Sequence, residues 1–280
     1  MTRRAQPWLG TLVDITINDA ADGRWLDRCM ADAFAAIGES HRLMSFHDPL
    51  SDMSRLNRAA VDEPVEIAKE TFEVLSRAVM LNSASGGIFN ISSASRLIHW
   101  GLLPALQNEP PIYDGTDTGL LIDTERRVRK TRAAVFDIGG IAKGYAVDQA
   151  ISVLQRAGIE SACVNAGGDL RVIGSTPFQV SIRDPVTITH AAREMSISNQ
   201  AIATSASYFS KRLIENELVC ALIDGRDGRA MTQSGSVSVV APSCMIADAL
   251  TKIVIASKNI RHPLLDRFHA QAFILNEESS

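Results

Sequence analysis

Residues 135–148 read VFDIGGIAKGYAVD. An apolar run predicts a strand ending at Asp137, Gly139 and Gly140 allow a tight turn, and a helical pattern begins near Gly144 with Lys143 at its threshold. Those residue types in that order suit an anion. Glycines let the backbone approach a ligand closely, a lysine adds a point charge, and a helix N-terminus presents unpaired N–H groups. The same pattern also serves as a purely steric strand-to-helix turn. It is neither G-x-G-x-x-G nor the Walker sequence, and neither of these occurs anywhere in the chain. A second candidate is ADALTK, residues 247–252. On a helix, Asp248 and Thr251 share one face, as a hard cation requires. An aspartate that answers the helix dipole and an ordinary threonine give the same pattern.

The elements that must position these groups are legible from periodicity. A strand is predicted over residues 11–17, a helix over 24–43 and another over 69–85 that stops before Gly86 and Gly87. Residues 108–123, rich in proline and glycine, read as a long loop or weak boundary. After the glycine turn come a helix over 146–157 and a hairpin whose arms, 161–165 and 170–173, flank the turn Ala166-Gly167-Gly168-Asp169. Further strands are predicted at 178–182, 194–198, 218–223 and 236–240, then a helix over 243–256 with Ser243 as N-cap. Strands that follow one another by hairpins indicate an α+β fold with a largely antiparallel sheet, and the lack of repeats or linkers favours one unit over residues 1–280.

Composition narrows the function. The 280 residues are 46% hydrophobic with a net charge of −4, a mean hydropathy of +0.04 and a pI near 5.9. Disorder is excluded, and nothing attracts nucleic acid or an anionic membrane in general, so a polyanionic ligand must be held locally. No apolar run reaches the length of a membrane span and no export signal is visible, which implies a cytoplasmic protein. Cys29, Cys163, Cys220 and Cys244 lie apart in apolar segments and read as buried thiols.

Taken together, the segments resemble the ApbE family of FAD:protein FMN transferases nearly end to end. LGT at residues 9–11, MSFHDPLSDMSRLN at 44–57, GGIFNIS at 87–93, WG at Trp100, FDIGGIAKGYAVD, NAGGDLRVIG at 165–174, IATSASY at 202–208 and VSVVAPSCMIADALTK appear in family order. The resemblance implies an enzyme that splits the pyrophosphate of FAD, uses magnesium, and joins FMN through its phosphate to a Ser or Thr hydroxyl of an acceptor protein. It implies magnesium ligands at Ala142 (backbone), Asp248 and Thr251, and FAD along Leu9, Phe46, Phe89, Asn90, Gly139, Gly140, Lys143 and Tyr145. Lys143 and Asp224 are the catalytic candidates.

This chain also departs from the family pattern. H-x-x-D-P-x-T-G becomes ALIDGRDG at residues 221–228, so Ala221 stands where a histidine, the expected general base, would be. Asn90 replaces an aspartate, Leu9 a methionine and Ala206 a glycine, and Thr251 follows Asp248 by three residues instead of four, leaving Lys252 in the i+4 slot. His47, in the MSFHDP segment, is the best candidate for a substitute base, beside its reading as a surface or structural histidine. Asp148 reads as a ribose contact or a plain helix charge, and Ser205 and Tyr208 as a structural turn in preference to nucleophiles. His41, His99, His190, His262 and His269 show no metal-ligand spacing. Two other outcomes stay open: an FAD pyrophosphatase, in which water replaces the acceptor, and a non-catalytic flavin-binding protein.

Overall fold

The computed structural model describes residues 1–106, 108–115, 117–183, 191–208 and 210–275. Seven helices occur among them: α1 (Gly23–Met44), α2 (Asp52–Arg58), α3 (Lys69–Ala84), α4 (Ala94–His99), α5 (Ala142–Arg156), α6 (Cys244–Ser257) and α7 (Pro263–Arg267). The main sheet has seven strands in the order Thr2–Trp8, Thr11–Ile17, Ala162–Ala166, Asp169–Ile173, Ala201–Ala206, Ser236–Ala241 and Gln271–Leu275. Every neighbouring pair in it is antiparallel. The fold is thus α+β.

Strand alternation sorts the side chains into two layers. Val13, Ile15, Ile17, Ala162, Val164 and Ala166 turn to one face and pack with α1 and α5, whose Met30, Ala33, Ile37, Val147 and Ile151 are fully buried there. Cys163, Leu170, Val172 and Ile202 turn to the other face, where the hairpin Phe178–Arg183/Ala191–Ile197 covers them. Further along the same face as α1 and α5, α3 and α6 pack against Ala203, Val237 and Val239. All four cysteines are buried and free. No helix among the described residues is long and apolar enough to cross a membrane.

Capping fixes the helix starts. Asp22 accepts from the Trp25 amide at 3.0 Å ahead of α1, and Ser243 accepts from the Ile246 amide at 3.4 Å ahead of α6. The predicted hairpin forms as Ala162–Ala166 and Asp169–Ile173, with Gly167 and Gly168 at φ of +64° and +105°, a turn only glycine enters freely.

Four expectations are corrected. Residues 135–137 form no strand: Val135 makes one isolated bridge to Ser93, and the segment is held by the Asp137 amide donating to Ile91 O at 2.9 Å. The helix after the glycine turn starts at Ala142, a turn before residue 146. The single strand over 218–223 is two, Glu217–Val219 and Ile223–Asp224, because the chain changes partner between Arg212–Ile214 and Arg229–Ala230. Within the loop expected over 108–123, of which residue 116 lies outside the described residues, Leu120–Ile122 is a strand.

Gly144 has a structural task. A Cβ there would stand 2.3 Å from the Cys244 carbonyl oxygen and 2.7 Å from Met245 Cα, so its bare backbone is what lets α5 touch the start of α6. In an open helix, Gly→Ala stabilises by about 1 kcal/mol. Here we expect the opposite sign: Gly144→Ala destabilises by about 1–3 kcal/mol in urea unfolding, the cost of forcing packed backbone apart. A stabilised variant would show that the contact is loose.

Candidate functional site

The glycine turn is tethered from two sides. Asn57, at the end of α2, donates from Nδ2 to Phe136 O at 2.9 Å and accepts from the Phe136 amide at 2.8 Å. Residue 57 closes the 44–57 segment, so one job of that segment is to fix the chain entering the turn. Asp137 then curls back under it, its carboxylate facing the Gly139 and Ile138 amides, with Oδ2 3.0 Å from where a Cβ of Gly139 would stand. Burial pushes that carboxyl up, while these amides and the nearby charges of His47 and Lys143 pull it down; the net direction is up.

Four charged side chains meet at the N-terminus of α5. Lys143 Nζ lies 2.7 Å from Asp169 Oδ2 and 3.6 Å from Asp248 Oδ2. The contact with Asp169 is the shorter of the two ion pairs. Asp248 Oδ2 also accepts from the Gly144 amide at 3.2 Å. Lys252, one helical turn beyond Asp248, donates to Asp248 Oδ1 and to its backbone carbonyl, the latter at 2.9 Å. Asp248 has no exposed surface, whereas the Lys143 side chain is one-third exposed. Burial alone would raise the Asp248 carboxyl, but the two ammoniums outweigh it and hold it low; Asp169 moves the other way, raised by burial and by Asp248. For Lys143, burial is the largest single influence and lowers its pKa. Asp169 and Asp248 together outweigh burial and raise it.

This donor set does not fit a hard cation. Both Asp248 oxygens are engaged by ammonium or amide groups. Thr251 Oγ1 is fully buried, donates to Asp248 O at 2.6 Å and pairs with Ser205 Oγ at 2.7 Å. Ala142 is the first residue of α5, with its carbonyl directed into the helix. A divalent ion about 4 Å from an ammonium is repelled by roughly 8 kcal/mol at an effective dielectric near 20. Among the described residues no group of three or more His, Cys, Asp or Glu side chains is placed to hold a metal.

The remaining sequence candidates divide. Gly139, exposed, and Gly140, half-buried, form the lip of the turn, neither in the left-handed region. A Cβ on Gly140 would lie 3.5 Å from the Phe89 ring and 3.6 Å from Lys252 Cε, so Phe89, Gly140 and Lys252 share one surface. Phe46 is buried with Ala94 and Val135 beside the segment entering the turn. Leu9 occupies the turn Leu9-Gly10 at φ of +55°, a costly angle for leucine, and the following Thr11 packs against Gly167. Asn90 folds onto its own loop, Oδ1 accepting from the Ser92 amide at 3.0 Å and from Ser92 Oγ at 2.8 Å.

Several expectations change here. Tyr145 is 2% exposed and packs in the core, with its hydroxyl donating to Glu73 at 3.3 Å. Asp148 is neither a ribose contact nor a plain helix charge: it accepts from Ser243 Oγ at 2.7 Å and from the Cys244 and Met245 amides at 3.0 Å each, capping α6. Asp224 is tied to Arg226 through Nε at 2.9 Å and Nη2 at 2.5 Å and has no hydrogen bond or ion pair to the Lys143 cluster. Its carboxylate braces the turn at Gly225, whose amide donates to Ile88 O at 2.9 Å. Ser205 sits in the strand Ala201–Ala206, not in a turn. Ala221 is exposed, and its amide donates to Ser210 Oγ at 3.0 Å. His47 is exposed within electrostatic reach of Asp137. His262 caps α7, and His190 lies outside the described residues. The residue that sequence reading missed is Asp169; its signal was the acidic position directly after Gly167-Gly168.

Two cavities flank this region. One of about 680 Å³ lies on the sheet face opposite α5, bordered by Thr11, Asn165, Gly167, Gly168, Thr204 and Tyr208. The other, about 220 Å³, is bordered by Leu222, Met231, Val254 and Ile255. Neither is lined by Lys143, Asp248 or Lys252; the larger cavity reaches the Gly167-Gly168 turn, directly before Asp169.

Against known proteins, the ApbE family model matches residues 9–271. The chain belongs to the ApbE family. That membership makes it an enzyme of the transferase class. The chain is 27% identical over 245 residues to the FAD:protein FMN transferase of Chlamydia pneumoniae, covering 82% of this chain and 74% of that protein. It is 26% identical over 239 residues to that of Haemophilus influenzae, covering 78% and 69%. The crystal structure of the ApbE protein from Thermotoga maritima superposes with a TM-score of 0.85 at 25% identity, covering 100% of this chain and 95% of the other. Apo flavinyl transferase ApbE from Pseudomonas stutzeri gives 0.83 at 22% identity, covering 99% and 91%, and shares the fold.

The lip at Gly140 is the surface that the sequence expectation gives to FAD. Because Gly140 needs no left-handed angle, Gly140→Val should leave the urea midpoint nearly unchanged while its methyls fill the gap between Phe89 and Lys252. We expect FAD affinity, read by flavin fluorescence, to fall at least about tenfold. Parallel losses of stability and affinity would mark the turn as steric only.

Proposed function

We propose that this chain transfers FMN from FAD to a Ser or Thr hydroxyl of an acceptor protein and releases AMP. Family membership supports the reaction, and one observation carries it to this site: two ammoniums, Lys143 and Lys252, flank a glycine lip at the N-terminus of α5. A pyrophosphate laid on that lip meets positive charge from both lysines and from the helix end.

In the reaction the acceptor oxygen attacks the phosphorus on the FMN side of the pyrophosphate. A new P–O bond forms, the bond from that phosphorus to the bridging oxygen breaks, and AMP leaves with the electron pair. The hydroxyl proton passes to a base. Phosphoryl transfer depends mainly on positioning and on stabilising charge at the phosphoryl oxygens. Lys143, partly exposed and held in place by Asp169, supplies that charge. Asp224 acts through position, keeping the Gly225 turn against residues 87–90. His47 lies within electrostatic reach of Asp137 in the turn. Magnesium would supply further charge neutralisation to such a reaction, but Ala142, Asp248 and Thr251 are already engaged, so no step is assigned to it.

A second reading, hydrolysis of FAD to FMN and AMP, is favoured by Ala221, which leaves the expected base position empty of any proton acceptor. Incubation with FAD and a fragment carrying a D-G-x-(Ser/Thr)-G-A acceptor separates the readings. Covalent FMN on the fragment, seen by mass, together with AMP supports transfer. AMP without an adduct supports hydrolysis, and tight FAD binding with neither product supports a silent flavin binder.

Two variants bear on the mechanism. Lys143→Met should cut transfer by about 10²–10³, the usual effect of losing a charge aimed at the transition state. Ala221→His, at an exposed position, should raise it by no more than a few-fold, because the hydroxyl proton is still largely in place when the phosphorus–oxygen bond breaks; a gain of about 10² would show instead that proton removal limits the rate. An unchanged rate in Lys143→Met would place the chemistry elsewhere.

A further inference from the structure

We infer that the Lys252 ammonium takes the place of the divalent cation at the pyrophosphate site, so that this chain binds FAD without magnesium. The inference rests on the flavin reading above and concerns how the same site is charged.

Helix geometry places residue i+4 beside residue i, and here that neighbour of Asp248 is a lysine. Its ammonium covers Asp248 Oδ1 and reaches the Asp248 carbonyl at 2.9 Å. A cation seeking that oxygen must first displace Lys252 from a fully buried carboxylate. The other oxygen is closed by the Gly144 amide at 3.2 Å and by Lys143 at 3.6 Å. Thr251 cannot substitute, because its hydroxyl is turned inward to Ser205 and has no exposed surface.

Lys252 can do what a bound cation would do for an anion. An ammonium carries three donors, of which two are spent on Asp248. The third remains for a ligand oxygen, and Lys252 Cε stands 3.6 Å from where a Cβ of Gly140 would be, directly under the lip. Lys143 faces the same place from the first turn of α5. Asp169 and Asp248 balance the two lysines, so the cluster is neutral before a ligand arrives and needs no counterion to form. Magnesium demands near-octahedral oxygen ligands at about 2.0–2.1 Å, and this cluster offers nitrogen donors at that point.

The test uses the full chain dialysed against EDTA. FAD affinity is measured by calorimetry in excess EDTA and again with magnesium chloride, for the wild type, Lys252→Met, Lys252→Arg and Lys252→Thr, with thermal unfolding followed in parallel. We expect equal wild-type affinity in the two buffers. Lys252→Met should lose about tenfold or more in both, Lys252→Arg should retain most of the affinity, and Lys252→Thr should bind FAD only when magnesium is added. Wild-type FAD binding that collapses in EDTA and returns with magnesium overturns the inference, as does wild-type affinity in Lys252→Met. The wild-type comparison decides the matter even if Lys252→Met fails to fold. A wild type that binds no FAD in either buffer overturns the flavin reading, and this inference with it.

Discussion

The close approach of α5 to the start of α6 is the constraint on which the site depends. Gly144 permits it, since any side chain there would collide with the Cys244 carbonyl. Once the two helices touch, Asp148 on α5 falls opposite the unpaired amides that open α6 and satisfies them, anchored in turn by Arg171 at 2.8 Å. The same register sets Asp248, in the second turn of α6, against the Gly144 amide. Each helix thus caps or braces the other. The lysines follow passively: Lys143 precedes Gly144 by one residue, and Lys252 follows Asp248 by one turn.

A carboxylate with no exposed surface is expensive unless it is compensated, and breaking a buried ion pair on one side typically costs about 3–5 kcal/mol. The cluster resolves this with two ammoniums for Asp169 and Asp248, plus one amide. Such an arrangement gains little net stability over an apolar core but fixes geometry. It also leaves its charges unequal in access. The carboxylates lie inside, while Lys143 remains partly exposed at the lip. An anion arriving at the lip therefore meets the cationic half of the cluster first.

The local signals in the sequence were strong where one residue type has one physical use. The turn at Gly167-Gly168 needs two positive φ values, and Ser243 precedes a helix whose amides it caps, so both were legible. The burial of Tyr145 was not legible: Gly144, Tyr145, Ala146 and Val147 are all buried. Only this stretch near the start of α5 is so enclosed, by packing that no local pattern encodes. The role of Asp148 depends on residues nearly a hundred positions away, and no local pattern encodes that. Asp224 misled: its place in the segment is retained, but Arg226, two residues on, takes up its carboxylate. Asp169 lay within a quoted segment, but its importance comes from Lys143, brought to it only by tertiary packing.

The two departures at Ala221 and Lys252 are better understood together than apart. A missing base would be severe if proton removal controlled the reaction. In phosphoryl transfer the transition state is loose, the attacking oxygen is only weakly bonded, and its proton is still largely in place when the phosphorus–oxygen bond breaks. What such a state demands is fixed positive charge along the phosphoryl oxygens, held in a site that does not reorganise. Lys252 is locked to Asp248 by two hydrogen bonds, and Lys143 is held between two carboxylates, so neither has to be recruited from solvent. A chain that builds this charge into a helix can tolerate an alanine at residue 221 more readily than it could tolerate a loosened α5–α6 contact.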